Sequence, residues 1–461
     1  MLRARSLRGR SHDMNNNAII ASMTISYIRY TPDQALLLPP SPQDWLPEGH
    51  LAYYISDTVD ALDLSAFHER YAGGGPRNQP FHPAMMVKVL IYGYATGVFS
   101  SRKLARKLHE DVAFRVLAAD NFPAHRTISD FRASHLEAMA ALFVQVVKLA
   151  QVCGLVKLGT IAVDGTKVKA NASRHKAMSY KRMAEKEQQL KDQIDQLLEK
   201  AKTTDEAQTD EPDLDIPAEI ERREKRLATI AAAKERLEQR QREVDEAKGR
   251  SEGDKRRPRK PDGSPRRGPP FKRDFGVPAD DAQDSFTDPD SRIMKHSSGA
   301  FEHSYNGQTA VDAQNQIIVA AELSQCAADS DQLPVMLRAV EKNLGSLPEQ
   351  VLADTGYRGE EVFAELADKS MDVIVALGRE RKKVTGIDAE KYPHTAKMAE
   401  HLDTDDAKQA YSCRKHIVEP PNGWIKSVLG FRDFSMRGYG KCLCEWKLIN
   451  LSLNLRRMAY L

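Results

Sequence analysis

Residues 176–300 carry many charges and few aromatic residues, so they cannot supply a hydrophobic core of their own size. That interruption limits the fold more than any other feature, because the core must be assembled from both sides of it. Before it, the apolar run Leu158–Val163 reads as a short strand leading into Asp164. After it, Tyr305–Val311 and Ile317–Leu323 flank the turn DAQNQ as an antiparallel hairpin. Val351–Ala353 and Met371–Ala376 follow as brief buried strands, with a helix from about Glu360 to Leu366 between them.

Inside the interruption, Met183, Leu190, Ile194 and Leu197, then Ile220, Leu227, Leu237 and Val244, follow heptad-like spacing. Between the two sets, 203–217 is acidic and turn-prone, which predicts two helices folded back as an antiparallel hairpin. The run KRRPRKPDGSPRRGPPFKR after them is a proline-rich basic linker, fitting a phosphate-gripping arm better than a nuclear-localisation signal.

Residues 31–155 read as helical. His82-Pro83 opens an apolar helix that stops at Gly97, Ser100 and Ser101 can cap the next helix, and a third begins near Thr127 with Asp130 as its capping acid. An amphipathic stretch from His135 to Val152 ends at Gly154. The second of these helices shows Arg102, Lys103, Arg106 and Lys107. Short helices with one basic face fit a helix-turn-helix DNA reader, and equally a plain solvated face; these residues alone do not choose. Toward the C-terminus, KCLCEWKLINLSLNLRRM predicts an amphipathic helix packed through Leu443, Trp446, Ile449 and Leu453.

The 461 residues carry 68 basic and 65 acidic side chains, a net charge of +3, so overall charge does not point to nucleic acid and local clusters must carry that argument. The five cysteines lack zinc-type or CxxC spacing, which suits reduced thiols in a cytoplasmic protein. No apolar stretch approaches the ~20 residues of a membrane span, and the basic start has no signal-peptide core. Residues 1–30 are expected to be a disordered tail or sequence upstream of the true start.

Three acids stand out. Asp164 lies in VDGTKVKANAS, Asp354 in LADTGYRG, and Glu419 in YSCRKHIVEPPNGWIK, seven positions before Lys426. Carboxylates gathered at a sheet can hold two divalent metals, the arrangement that drives phosphodiester chemistry. Singly, either aspartate also fits a turn former or helix cap. Pro420 and Pro421 belong in a first helical turn, so the helix should begin near Ile417, run to about Leu429, and place Glu419 and Lys426 on one face. Trp424 and His303 are expected to serve a core and a local hydrogen bond, and Glu445 is a rival third acid without the basic surroundings of Glu419.

The blocks LLLPPSPQDWLPEGHLA, FHPAMMVKVLIYGYATGVFSSRKLARKL and HRTISDFR resemble the InsH-type N-terminal domain of insertion-sequence transposases of the DDE class. VDGTKVKANAS, SYNGQTAVDAQNQIIVA, LADTGYRG and VEPPNGWIKSVLGFRDFSMRG resemble their catalytic blocks, in order from about Gln34 to Met458. The resemblance implies an α/β fold: an RNase H-like mixed sheet (156–175 and 301–461), an all-helical DNA-binding domain (31–155) and a charged helical insertion (176–300). It implies Asp164, Asp354 and Glu419 as the metal-binding catalytic triad, with two Mg²⁺ or Mn²⁺ ions. Tyr411, Arg414 or Lys415, Glu419 and Lys426 match the family's tyrosine–arginine–glutamate–lysine motif, although Lys415 rather than Arg414 has the expected gap before Glu419. The implied partner is double-stranded DNA, as terminal inverted repeats and target, cut and joined by at least a dimer in a synaptic complex. A stand-alone nuclease and a catalytically inactive, transposase-derived DNA-binding protein are the alternatives.

Overall fold

Caps and breakers in the sequence set the helix ends of the N-terminal third. In the computed structural model, residues 42–71, 80–173, 176–207, 216–252, 270–378 and 386–461 are described. The tail (1–30), the segment 208–215 and most of the basic linker lie outside them. The helices are α1 (Leu51–Ala61), α2 (Ser65–Glu69), α3 (Pro83–Ala95), α4 (Ser101–Glu110), α5 (Val112–Ala118), α6 (His125–Ser134) and α7 (Leu136–Val152). His82 Nδ1 accepts from the Ala84 amide and Pro83 fills the first turn of α3, where a missing donor costs nothing. Gly97 and Gly154 end α3 and α7 with left-handed backbone, φ 79° and 73°. One expectation shifts: α6 starts at His125, so Thr127 lies inside it rather than at its cap.

The sheet follows. β1 (Thr160–Lys169) runs well beyond Val163, the end expected from the apolar run. The insertion then contributes β2 (Ala177–Ser179), α8 (Tyr180–Ala207), α9 (Ile216–Ala247) and β3 (Gln283–Ser285), with β2 and β3 antiparallel. Next come β4 (Arg292–Lys295), β5 (Phe301–Asp312), β6 (Ile318–Ser324), α10 (Gln332–Leu344), β7 (Gln350–Ala353), α11 (Glu360–Leu366) and β8 (Asp372–Val375). The main sheet has the order β6-β5-β1-β7-β8, with β4 sharing the outer edge of β5. β1 pairs antiparallel with β5 from Ile161↔Asp312 to Lys169↔Ser304, and parallel with β7 from Thr160↔Gln350 to Val163↔Ala353. β1 continues past Val163 because its β5 ladder continues, although its β7 ladder stops. This is the mixed, RNase H-like sheet the strand order predicted.

The helical insertion has its own small core of Met183, Leu190, Ile230, Ala233 and Leu237. Val244, expected on the same seam, is exposed. Buried Asp284 on β3 is gripped by Arg236 at 2.6 Å and Arg240 at 2.8 Å, which ties α9 to the strand pair.

The chain closes with α12 (Pro393–Leu402), α13 (Asp405–Gly423), a π turn (Trp424–Val428) and α14 (Tyr439–Met458). α14 packs over the sheet as expected, but it is buried on more than the one face that an amphipathic pattern implies. Cys442, Cys444, Trp446, Leu448, Ile449, Leu451 and Leu455 are all buried, because α14 is covered by α3 and α7 on one side and β6 on the other. Asn454 of α14 exchanges two hydrogen bonds with the Ile318 backbone, at 2.9 and 2.8 Å. A single hydrophobic core therefore runs from Leu51 in α1 to Met458 in α14.

A buried polar knot joins the same layers. Glu445 of α14 accepts from Tyr94 of α3 at 2.6 Å, from the Ser435 hydroxyl, and from the Ser435 and Met436 amides at 2.8 and 3.2 Å. Arg132 of α6 donates to the Tyr94 hydroxyl at 2.6 Å and lies 3.7 Å from the Glu445 carboxylate.

Trp446 packs flat over β5 at Gly307, where any Cβ would stand 2.8 Å from the indole ring. Gly307→Ala should therefore destabilise the chain by about 1–3 kcal/mol through overpacking, read as a lower denaturant midpoint at unchanged slope. An unchanged midpoint would show that the ring can move aside.

Candidate active site

The site begins where β1 and β7 part. Their parallel register ends at Val163↔Ala353, and the next residue of each chain is an aspartate, Asp164 and Asp354. Neighbouring parallel strands thus deliver two carboxylates side by side. Asp354 Oδ1 accepts from the Gly356 amide at 2.8 Å and so caps the short 3-10 turn Thr355–Tyr357. Asp164 stays in the β5 ladder opposite Thr309, and its Oδ2 accepts from Asn422 Nδ2 at 3.1 Å.

Burial and then the negative charge of Asp354 push the Asp164 carboxyl up to about 6, against the Arg414 guanidinium and hydrogen bonds from Gly165 and Asn422. Arg414 is buried, with its guanidinium 5.8 Å from the Tyr411 ring centre. Lys426 is half-buried and donates to the Lys167 carbonyl of β1 at 2.8 Å. Burial lowers its pKa while the charge of Asp164 opposes that shift.

Glu419, Arg414, Asn422 and Lys426 come from one helical segment whose geometry differs from expectation. α13 begins at Asp405, capped by the Thr404 hydroxyl, and carries Pro420 and Pro421 in its interior rather than in a first turn. Pro420 leaves the His416 carbonyl without its helical donor. Gln316, from the β5–β6 turn, donates to that carbonyl at 2.6 Å. The helix then widens into the π turn, closed by the Leu429 amide on the Trp424 carbonyl at 2.8 Å. This i→i+5 bond replaces the usual α-helical one, so the segment turns less per residue. Lys426 accordingly faces β1, while Glu419 is exposed on α13.

The other expected site residues are spread more widely. Lys415 is exposed on α13, next to buried Arg414. On α4, which buries Leu104 and Leu108, Arg102, Lys103 and Arg106 are exposed and Lys107 is half-buried. Arg106 and Lys107 pair with Glu110 and Asp111 at 3.4 and 3.1 Å, contacts worth little at a wet surface. His303 is buried and hydrogen-bonded to Ser291 at 3.2 Å. Trp424, expected in the core, is exposed under the Arg456 guanidinium, 5.1 Å from its ring centre. The rival acid Glu445 has both oxygens occupied by the buried knot, which leaves it no role as a metal ligand.

The sequence reading missed four residues that surround the aspartate pair. They are Asn422, Gln308, Tyr357 and Asp329. The buried Tyr357 hydroxyl donates to Gln308, and Gln308 Nε2 donates to Asp329 at 2.6 Å. The available signal was a glycine one or two residues after each motif aspartate, Gly165 and Gly356, which marks a close approach by another group.

Among the described residues no three His, Cys, Asp or Glu side chains come together as a group able to hold a metal ion. The aspartate pair itself suits a hard divalent cation. Its donors are carboxylate oxygens, their mutual repulsion favours an added positive charge, and the buried Asn422 Oδ1 beside them has no hydrogen-bond partner. Residues 40–134 match the family model described as Transposase domain (DUF772), and residues 262–455 match Transposase DDE domain. No curated protein and no solved structure matches the chain.

A raised carboxyl pKa means that the folded state binds its proton more tightly than the unfolded chain does. The stability this gives is complete at low pH and is lost as pH rises from the ordinary value of 3.8 to about 6. Asp164→Asn should therefore raise the melting temperature in chelator at pH 8, by up to about 3 kcal/mol in stability, with the gap closing near pH 4. A variant no more stable than wild type at pH 8 would show that Asp164 is not electrostatically strained.

Proposed function

The chain belongs to the DDE transposases of insertion sequences, and from that premise we propose that Asp164, Asp354 and Glu419 are its catalytic acids. DNA is the substrate of the family, whose members use divalent metal ions. The observation that carries the assignment is the aspartate pair at matched ends of two parallel strands, with Asp164 under the repulsion of Asp354. Divalent ions, two Mg²⁺ or Mn²⁺ in this reading, supply activation of the attacking oxygen and stabilisation of the leaving oxygen in hydrolysis and strand transfer.

The chain's own residues then divide the work. Asp164 and Asp354 bind the metal, and Glu419 completes the acidic set. Asn422 orients Asp164, while Arg414 counters the effect of burial and of the Asp354 charge on its carboxyl. Lys426, fixed on the β1 backbone, takes the phosphate beside the cut bond. Tyr411 and Lys415 contact DNA near Glu419, and the exposed cations of α4 hold the duplex backbone outside the site. Element ends are cut by hydrolysis, the freed 3′-hydroxyl attacks target DNA, and two copies of the chain act together on paired ends. No covalent enzyme intermediate is needed.

The test is cleavage and strand transfer on DNA carrying the element's own terminal repeats, in Mg²⁺ and in Mn²⁺, with Glu419→Gln as the variant. Glu419→Gln should keep end binding and lose more than the roughly 10–100-fold in activity that removal of a residue merely supporting a ligand costs. Cleavage at the wild-type rate would remove Glu419 from the acidic set. End binding without any cut by the wild-type chain in either metal would favour the inactive DNA-binding alternative.

A further inference from the structure

Asp329 lies just before α10, and none of the motif blocks contains it. Its carboxylate nevertheless sits between the two aspartate motifs. A Cβ added at Gly165, next to Asp164, would stand 2.5 Å from Asp329 Oδ1. One added at Gly356, two residues after Asp354, would stand 3.2 Å from Asp329 Oδ2 and 3.0 Å from Asp354 Oδ1. Neither backbone is left-handed at these glycines, so conformation does not explain them. At both, the Asp329 carboxylate occupies the space a side chain would need, joined at Gly165 by Gln308 Nε2, also 2.5 Å away.

That carboxylate is held firmly by neutral groups. Asn306 Nδ2 and Gln308 Nε2 both donate to Oδ1, at 2.7 and 2.6 Å. Gln308 is itself oriented by the Tyr357 hydroxyl donating to its Oε1. Neutral amides fix an anion in place but leave its charge uncompensated. On the other side of the pair, Asn422 is only 9% exposed, donates to Asp164, and has a buried Oδ1 with no partner. The aspartate pair, a further fixed carboxylate between its two motifs and an unused buried carbonyl oxygen together favour a cation bound at the pair.

We propose that Asp329 is a positioning residue of the divalent-cation site: a third fixed negative charge, seated between Gly165 and Gly356, that strengthens cation binding by Asp164 and Asp354. This rests on the metal assignment proposed above for those two aspartates. Asp329 acts through its charge and through the waters a magnesium-type ion retains, and need not be a direct ligand. It offers an acidic wall to the pair from the β5–α10 side, while Glu419 belongs to the helix α13.

The experiment is Mn²⁺ binding to the full chain, followed by calorimetry and by the electron paramagnetic resonance of free Mn²⁺, without DNA. Wild type, Asp164→Asn, Asp329→Asn and Asp329→Glu are compared after near-ultraviolet circular dichroism has confirmed their fold. Asp164→Asn should abolish the site. Asp329→Asn should weaken Mn²⁺ by about 10–100-fold, and Asp329→Glu, which keeps the charge, should recover part of that loss. If Asp329→Asn does not fold, Asp329→Ser is read in its place. Loss of binding in Asp164→Asn alone would overturn the role of Asp329 and leave the aspartate pair standing. Unchanged binding in every variant would overturn both assignments.

Discussion

β1 serves two partners of unequal length, and the site exists because of that inequality. On one edge β5 pairs with it antiparallel as far as Lys169; on the other, β7 pairs in parallel only to Val163. Past that point β1 stays hydrogen-bonded to the main sheet on one side only. Asp164 is thus held by a rigid ladder while the edge toward β7 opens beside it. A loose loop could carry the same carboxylate, but not against the repulsion of Asp354 and the loss of solvent.

The second framing element is a helix that breaks two local rules and is repaired from elsewhere. Interior prolines and a π turn would each be unfavourable in an isolated helix. Here the Gln316 side chain replaces the donor that Pro420 lacks, and the π turn directs Lys426 onto the β1 backbone. The same segment delivers Asn422 and Arg414 to Asp164. Departures from ideal helix geometry are concentrated in the part of the chain that meets the aspartates.

Much of this was legible in the sequence because it is local. The strands alternate or run apolar between turn residues, His82-Pro83 and Gly97 bracket α3, and both aspartates follow apolar runs. What was not legible depends on partners distant in the chain. Nothing near Pro420 announces that Gln316 will satisfy His416, so the local proline rule placed the helix start a dozen residues late. Nothing within KCLCEWKLINLSLNLRRM says that it will be covered on both sides, since only the arrival of α3 and α7 makes its polar face internal. Asp329 looks like an ordinary acid before a helix until Gly165 and Gly356 are seen to leave room for it. The glycines were visible; the group that they admit was not.

The knot around Glu445 bears on how such a protein can change over generations. Tyr94 and Arg132 lie in the N-terminal helices, Ser435 and Met436 in the C-terminal segment, and all converge on one buried carboxylate in α14. Breaking such a cluster by removing one partner strands a charge in the interior, at a cost of about 3–5 kcal/mol. A set of N-terminal helices without a tyrosine and an arginine in the places of Tyr94 and Arg132 would leave the Glu445 carboxylate short of its partners. The N-terminal helices are therefore exchangeable only together with the residues that meet Glu445. The open α4 face is under no such constraint: Arg102, Lys103 and Arg106 are exposed there and can vary without disturbing the interior.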